Sequence, residues 1–137
     1  MPHHSSEMSL FADAVDRLDE ALRAMEEYPA LTVVRDGVIK RFEFTYEMAI
    51  RCLRSRLRRG AHPDAGRYGY RTTIRFSADA GLIDDPEAWI GHTNSRQSTT
   101  HDYNEPVAVS IVANVPTFAA DARRLLSRLR SETGTDI

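Results

Sequence analysis

Two long segments of this chain carry apolar residues at alternating steps of three and four, and this periodicity constrains the fold more than any other feature. Such steps place every member of a series on the same face of an α-helix. The first series is Met8, Phe11, Val15, Leu18, Leu22 and Met25, and the second is Ile39, Phe42, Tyr46, Ala49, Leu53 and Leu57. The sequence therefore predicts two long amphipathic helices, each with one buried face.

Capping and helix-breaking residues predict where these two helices begin and end. Ser5 or Ser6 is expected to cap the first helix, which should end just before Pro29. The second helix is expected to cover about residues 36–59, because Gly60 follows as a stop signal. Both helices then need partners for their apolar faces.

Glycine and proline divide the second half of the chain. Residues 60–71 contain three Gly and one Pro without apolar periodicity, which predicts one extended loop. A short helix closed by Gly81 is expected over residues 72–83, and a third main helix should start at Pro86. The last helix is expected to begin after Asn104 and to be kinked at Pro116.

Signals for β-strands are almost absent. The only run rich in β-branched residues, residues 31–34, is too short to build a sheet. Four main helices with this apolar spacing indicate an all-α fold, an antiparallel up-down four-helix bundle with one extra short helix. A length of 137 residues fits one core, so we expect a single domain over residues 1–137.

The cysteine and histidine content argues against a disulfide and a metal site. Cys52 is the only cysteine, and His92 and His101 lie nine residues apart, so no pair has zinc-site spacing. No glycine-rich phosphate loop follows a strand, and we expect no cofactor. The N-terminus does not resemble a secretory signal and no apolar run is long enough to span a membrane, which predicts a cytoplasmic protein.

Positive charge is concentrated between residues 51 and 75, although the net charge of the chain is −2. This arginine block holds eight Arg against the single acid Asp64, an excess of seven positive charges. It predicts a phosphate-binding surface that includes Arg56, Arg58 and Arg59. A solvated helix end, whose cations complement the C-terminal helix dipole, explains the same pattern, and both interpretations stay open.

A polar run over residues 92–104 contains no aliphatic side chain. Arg96 and His101 are five residues apart, about 140° around a straight helix, so they share a face only if the helix ends between them. If the chain is extended after Thr100, His101 and Tyr103 point to the same side. The run then presents a guanidinium, an imidazole and a phenol to one cleft. Each residue also has a purely structural interpretation, as a surface His, a helix-capping Arg or a half-buried Tyr.

Three segments resemble a known family, the small helical HEPN proteins described as nucleotidyltransferase substrate-binding subunits. They are VIKRFEFTYEMA at residues 38–49, AGLIDDPEAWIGHTNSRQSTTHDY at residues 80–103, and the apolar last helix. The motif of that family, Arg followed by four residues, His, one residue and Tyr, matches Arg96, His101 and Tyr103.

The resemblance extends over nearly the whole chain, from about Leu18 to Leu129, and the chain departs from the family at two places. Gln97 stands where members usually have Asn, and residues 50–52 replace an aromatic or Lys-rich stretch. The Arg, His and Tyr of the motif are intact, so the functional class is expected to hold.

The resemblance implies a function and a set of partners. Members are encoded beside minimal nucleotidyltransferases and are regarded as the toxins of HEPN/MNT toxin–antitoxin pairs. They pair as homodimers with the motif in the cleft between subunits, and the active ones are metal-independent ribonucleases. An alternative from another functional class is a non-catalytic substrate-binding subunit of a two-component nucleotidyltransferase.

The resemblance also implies a role for each residue of the polar run. Arg96 and His101 become the catalytic residues for cleavage of an RNA such as tRNA, and Gln97 and Asp102 become supporting residues. Tyr103 becomes the residue to which the partner transfers AMP. The arginine block is then expected to bind RNA or the partner.

Overall fold

Both apolar series form the long helices that they predict. The computed structural model describes residues 3–100 and 103–134 of the chain. Within these residues there are five α-helices, one short 3-10 helix and no β-strand, so the predicted all-α fold is confirmed. The helices are α1 His3–Glu27, α2 Thr32–Arg59, α3 Tyr70–Asp79, α4 Pro86–Ser98 and α5 Glu105–Gly134, with the 3-10 helix at Ala65–Arg67. None of the described helices is long and apolar enough to cross a membrane.

Two helices begin earlier than predicted. The cap expected at Ser5 or Ser6 is wrong, because α1 already includes His3. The start of α2 is Thr32 rather than a residue near 36, and Val33 in its first turn is 72% exposed. An apolar series marks only the buried part of a helix, so it does not reveal a solvated first turn.

Most of the other predicted helix boundaries are confirmed. α1 ends before Pro29, and α2 ends just before Gly60. α3 is followed by Gly81 in the left-handed conformation, with φ of 78°, which glycine adopts without strain. α4 is capped by Asp85, whose side chain accepts a hydrogen bond from the Ala88 N–H at 3.1 Å. Asp85 therefore fixes the start of α4, the helix that carries Arg96.

The start of α5 also follows its predicted signal. Asn104 immediately precedes the helix, and its Oδ1 accepts a hydrogen bond from the Val107 N–H at 3.0 Å. Pro116 lies inside α5. A kink at this proline stays a prediction.

The segment predicted as one extended loop, residues 60–71, contains the 3-10 helix and the first two residues of α3. The His62 ring lies 4.4 Å from the Phe76 ring, and its Nδ1 lies 3.0 Å from the Tyr68 hydroxyl oxygen. Tyr70 begins α3 and packs 5.7 Å from the ring of Tyr46. The prediction was wrong because aromatic contacts with distant residues leave no trace in local spacing.

Contacts between α1 and α2 join residues in opposite order along the two helices. The Thr45 hydroxyl donates to the Ala14 carbonyl oxygen at 3.2 Å, and the Ser55 hydroxyl donates to Glu7 at 2.7 Å. Residue numbers rise in α2 as they fall in α1, so these two helices are antiparallel. His92 of α4 contacts Asp121 of α5, and Asp84, just before α4, contacts Arg128 of α5, so α4 and α5 are antiparallel as well. The rest of the predicted arrangement, the complete up-down bundle and the homodimer, stays a prediction.

Phe118 of α5 joins the helices that carry the polar run and the RFEFTYE segment. Its ring lies 5.0 Å from Phe42 and 6.3 Å from Tyr46 of α2, and 5.8 Å from Trp89 of α4. All four side chains are at most 3% exposed. Burial of such rings is among the largest single contributions to a core. The aromatic cluster therefore fixes α4 against α2.

His92 belongs to the same core rather than to a polar site. It is 6% exposed, its Nε2 lies 2.7 Å from Asp121 Oδ2, and its ring packs 5.1 Å from Phe118. Burial lowers the pKa of His92, and the neighbouring Asp121 opposes that shift only in part. The imidazole is therefore neutral at pH 7, and the unfolded chain binds a proton at higher pH than the folded chain does.

We expect the stability of the protein to fall on acidification because of His92. A lowered folded pKa contributes stability that is present above the unfolded value of 6.5 and is lost as the pH falls through the folded value. The loss grows by about 1.4 kcal/mol for each unit between the two pKa values. Thermal unfolding of the parent and His92→Gln between pH 7.5 and 5.5 measures this contribution. The melting temperature of the variant should depend less on pH, and equal slopes would contradict the assignment.

Candidate functional site

Arg96 lies in the last turn of α4, and that position decides what its side chain can reach. The helix ends at Ser98, where the N–H of Thr99 still bonds to the Arg96 carbonyl oxygen at 3.2 Å. The helix therefore ends between Arg96 and His101, the condition under which the two were predicted to share a cleft. His101 and Asp102 lie outside the described residues, so their side of the cleft stays a prediction.

The guanidinium of Arg96 contacts two carboxylates of α2 and two hydroxyls of its own helix end. Nε lies 3.3 Å from Glu47 Oε2, and Nη1 lies 4.0 Å from Glu43 Oε2. Nη1 also donates to the hydroxyls of Thr99 and Thr100 at 3.2 and 3.1 Å. The N–H bond of Nε does not point towards Glu47 Oε2, so this contact is an ion pair without a hydrogen bond.

Nη2 is the nitrogen of this guanidinium that has no partner among the described residues. The Arg96 side chain is 25% exposed, so the contacts on Nε and Nη1 leave part of the group open to solvent. A partly exposed guanidinium whose Nη2 has no partner in the described part of the chain suits an anionic ligand such as a phosphate.

Tyr70 of α3 completes the contacts around Glu47. Its hydroxyl lies 3.0 and 3.3 Å from the two carboxylate oxygens of Glu47. Burial, and then the neighbouring Glu47, raise the pKa of Tyr70, so the phenol stays protonated and donates to the carboxylate. The guanidinium of Arg54 lies 5.3 Å from the centre of the Tyr70 ring. Residues from α2, α3 and α4 thus form one chain of contacts that ends at Arg96.

A groove of about 460 Å³ opens beside these residues between α1, α2 and α4. Arg96, Glu43 and Glu47 line it, together with Arg17, Lys40, Arg41 and the half-exposed ring of Phe44. Cations, acids and one accessible aromatic ring therefore share this surface. Such a mixture suits a ligand that carries both charge and a flat ring.

Tyr103 lies two residues before α5 and is 46% exposed. Close to it, Nη1 of Arg35 at the start of α2 donates to Glu105 Oε2 of α5 at 2.5 Å. This bond to Glu105 is the main cause that raises the pKa of Arg35. The Tyr103 hydroxyl is thus carried by a part of the chain that is tied to α2.

Gln97 directly follows Arg96, whereas the predicted arginines at the end of α2 lie further away. Gln97 is exposed, in keeping with its place at the end of α4. Arg58 and Arg59 are exposed at the end of α2, and the Arg58 Nη2 donates to the Ser55 hydroxyl at 3.2 Å. They lie eleven and twelve residues beyond Glu47, about 17 Å along a helix at 1.5 Å per residue.

The arginine block is therefore not one continuous surface around the site. Arg54 and Arg71 point towards it, since Arg71 donates to the Asn94 side chain of α4 at 3.0 Å. Arg56 is partly buried. Only part of the block is near Arg96.

Prediction from the sequence missed Glu43, Glu47 and Tyr70. Each of the two acids directly follows a residue of the second apolar series, and they lie one helical turn apart. They therefore flank the buried face of α2, where long side chains reach a neighbouring helix. The sequence signal for their contact with Arg96 was a pair of acids beside the buried face of a helix, together with one Arg in a polar run.

Comparison with known proteins identifies what the chain is similar to. A family model described as nucleotidyltransferase substrate binding protein like matches residues 6–131. A Haemophilus influenzae protein named probable ribonuclease HepT is 30% identical over 102 residues, which cover 73% of this chain and 70% of the relative.

Two solved structures have a similar fold. One, from Haemophilus influenzae, is described as the fold of a substrate binding domain of a nucleotidyltransferase. It is 24% identical, covers 90% of this chain and 98% of its own, and has a TM-score of 0.81. The other is a tri-AMPylated Shewanella oneidensis HEPN toxin in complex with an MNT antitoxin. It is 15% identical, covers 93% of this chain and 96% of its own, and has a TM-score of 0.72. At these identities the two structures show the fold.

Proposed function

Because this chain belongs to the family of nucleotidyltransferase substrate binding protein like proteins, we propose that it is the HEPN toxin of a HEPN/MNT toxin–antitoxin pair. In this proposal the chain is a metal-independent endoribonuclease that works as a cytoplasmic homodimer and cuts RNA such as tRNA. Its cognate minimal nucleotidyltransferase neutralises it. The relative named a probable ribonuclease supports the proposed activity, and the similar toxin–antitoxin complex supports the proposed partner.

The observation that carries the proposal is the arrangement around Arg96. Its Nε and Nη1 contact Glu47, Glu43 and two hydroxyls, whereas Nη2 bonds to no described residue. When an RNA 2′-hydroxyl attacks the adjacent phosphate, negative charge grows on the phosphate oxygens in the transition state. A guanidinium that is already held in place stabilises this charge without reorganising, so Arg96 is assigned to the phosphate.

His101 supplies the proton transfers in this proposal. The 2′-hydroxyl must lose a proton as it bonds to phosphorus, and the departing 5′-oxygen must gain one. Imidazole titrates near neutral pH and can serve in either role. In a two-fold homodimer two copies of the motif face each other, so that one imidazole accepts a proton while the other donates one. Gln97, which directly follows Arg96, and Asp102, which directly follows His101, are the proposed supporting residues.

Tyr103 is the proposed site of silencing by the partner. Its phenol is 46% exposed and therefore open to an enzyme that transfers AMP. The products are a tyrosyl phosphodiester and pyrophosphate, and the phenolic proton is released. The added group carries negative charge and bulk into the place where RNA phosphate binds, and like charges repel.

The exposed end of α2 has a separate role in this proposal. Arg58 and Arg59, with Arg56 beside them, are proposed to contact RNA or the nucleotidyltransferase at a distance from the reacting phosphate. The alternative function, a non-catalytic substrate-binding subunit, agrees with the description of the matched family. It differs from our proposal in one measurable respect, since it predicts no cutting of RNA by the chain alone.

The purified protein should cut total tRNA in the presence of EDTA. We expect Arg96→Ala to slow the reaction by about 10²–10³-fold, as removal of a donor to a developing oxyanion does. His101→Ala should slow it by about 10²–10⁴-fold, the usual contribution of a general acid or base. Arg23→Ala, which removes an exposed Arg of α1, is the matched control and should cut as the parent does. Parent protein without activity would favour the substrate-binding alternative.

Incubation with the cognate nucleotidyltransferase, ATP and Mg²⁺ should add AMP to Tyr103 and stop RNA cutting. Mass spectrometry of the peptides should show additions of whole AMP units on this residue. Tyr103→Phe should stay unmodified and active, whereas Tyr28→Phe should be modified and silenced like the parent. Tyr28 is a fair control because it is 51% exposed, close to the exposure of Tyr103. Label on another residue, or silencing of Tyr103→Phe, would refute the modification.

A further inference from the structure

We propose that Glu47, held in turn by Tyr70, is a positioning residue that orients the guanidinium of Arg96 for its contact with the RNA phosphate. This inference rests on the proposed ribonuclease function. It concerns residues outside the Arg, His and Tyr motif. The three side chains lie on three different helices, α2, α3 and α4, and their contacts form a continuous chain.

The contacts of Arg96 explain why Glu47 controls its orientation. A guanidinium is planar and rigid, so two fixed nitrogens determine where the third one points. Hydroxyls at the end of α4 hold Nη1, while the Glu47 carboxylate attracts Nε at 3.3 Å from a different helix. Without Glu47, the contacts of Arg96 among the described residues are those to its own helix end and to the Glu43 carboxylate 4.0 Å away. The side chain then has more rotamers to lose when the phosphate binds.

Tyr70 determines the position of Glu47. Its hydroxyl lies within 3.3 Å of both carboxylate oxygens, so it opposes rotation of the carboxylate away from Arg96. The Tyr70 ring is itself held, because it packs 5.7 Å from Tyr46 and lies 5.3 Å from the Arg54 guanidinium. A donor that is anchored on a core aromatic residue makes the acid part of the rigid scaffold. A residue that positions another side chain keeps its own geometry only when neighbouring groups hold its rotamer.

Glu43 offers a matched comparison on the same helix. It lies one turn before Glu47, and its side chain is 21% exposed compared with 32% for Glu47. Its nearest contact to Arg96 is 4.0 Å, and it also pairs with Lys40 at 3.7 Å. Substitution of Glu43 therefore removes an equal charge from the same groove but a weaker contact. The two acids should differ in their effect on Arg96.

Cleavage kinetics test the inference through a double-mutant cycle. Glu47→Gln keeps the shape of the side chain and removes its charge, and we expect kcat to fall about 10-fold, with a smaller change in KM. Tyr70→Phe should lower kcat in the same direction. Glu43→Gln should lower kcat clearly less than Glu47→Gln does, because the contact of Glu43 with Arg96 is longer. In an Arg96→Ala background, Glu47→Gln should cause no further loss, because Glu47 acts through Arg96. Additive losses, or equal effects of the two Glu variants, would overturn the proposal.

A second measurement separates this inference from the proposed function. Nitrogen-15 spectra of the Arg96 side chain, assigned by their loss in Arg96→Lys, report rotation of the guanidinium without any RNA. Separate signals for the two Nη groups are expected in the parent and in Glu43→Gln, and averaged signals in Glu47→Gln. Unchanged signals in Glu47→Gln would refute the positioning role even if the parent cuts RNA. The expected spectra from a parent that does not cut RNA would support the positioning and refute the ribonuclease.

Discussion

The register of α4 on α2 determines where Arg96 lies, and one buried pair of hydroxyls sets that register. The Tyr46 hydroxyl lies 2.5 Å from the Thr93 hydroxyl, which in turn donates to the Trp89 carbonyl oxygen at 3.0 Å. Both side chains are at most 1% exposed. A buried hydroxyl that loses its partner costs about 1–3 kcal/mol, so sliding α4 along α2 is unfavourable. Glu47 follows Tyr46 directly, and Arg96 follows Thr93 by nearly one turn, so this register brings the two charges together.

The same core also explains how a site can form where the sequence is most polar. Phe118 packs against rings from α2 and α4, and His92 is neutral and bonded to Asp121 within that packing. These contacts hold the first turns of α4 firmly. The last turn extends beyond them, so its polar side chains face the groove and solvent. A rigid helix with an exposed end is a suitable support for groups that must meet a charged substrate.

The fold was largely predictable because long apolar series report burial directly. The two series predicted α1 and α2. Gly81 marked the end of α3, and Pro86 and Asn104 marked the starts of α4 and α5. The first turn of α2 and the start of α3 at Tyr70 were not predictable in this way. The former is exposed, and the latter depends on contacts with Tyr46 and Glu47 far along the chain.

The site was predictable only in part, for a related reason. The polar run and the resemblance to a family pointed to Arg96, His101 and Tyr103. Neither showed which residues of α2 and α3 would contact Arg96. Periodicity tells which face of a helix is buried, but it does not tell which side chains on the flanks of two helices meet. Glu47 and Tyr70 became visible as neighbours of Arg96 only once the helices were packed.

In the proposed ribonuclease, the motif promotes attack of an RNA 2′-hydroxyl on the neighbouring phosphate. The ends of the RNA fragments test it most directly, because this reaction leaves a 2′,3′-cyclic phosphate on one fragment and a 5′-hydroxyl on the other. Mass spectrometry of a short RNA cut by the purified protein in EDTA should show these two ends, and DNA of the same sequence should stay intact. Fragments with 3′-hydroxyl and 5′-phosphate ends, or cutting of the DNA, would contradict the mechanism.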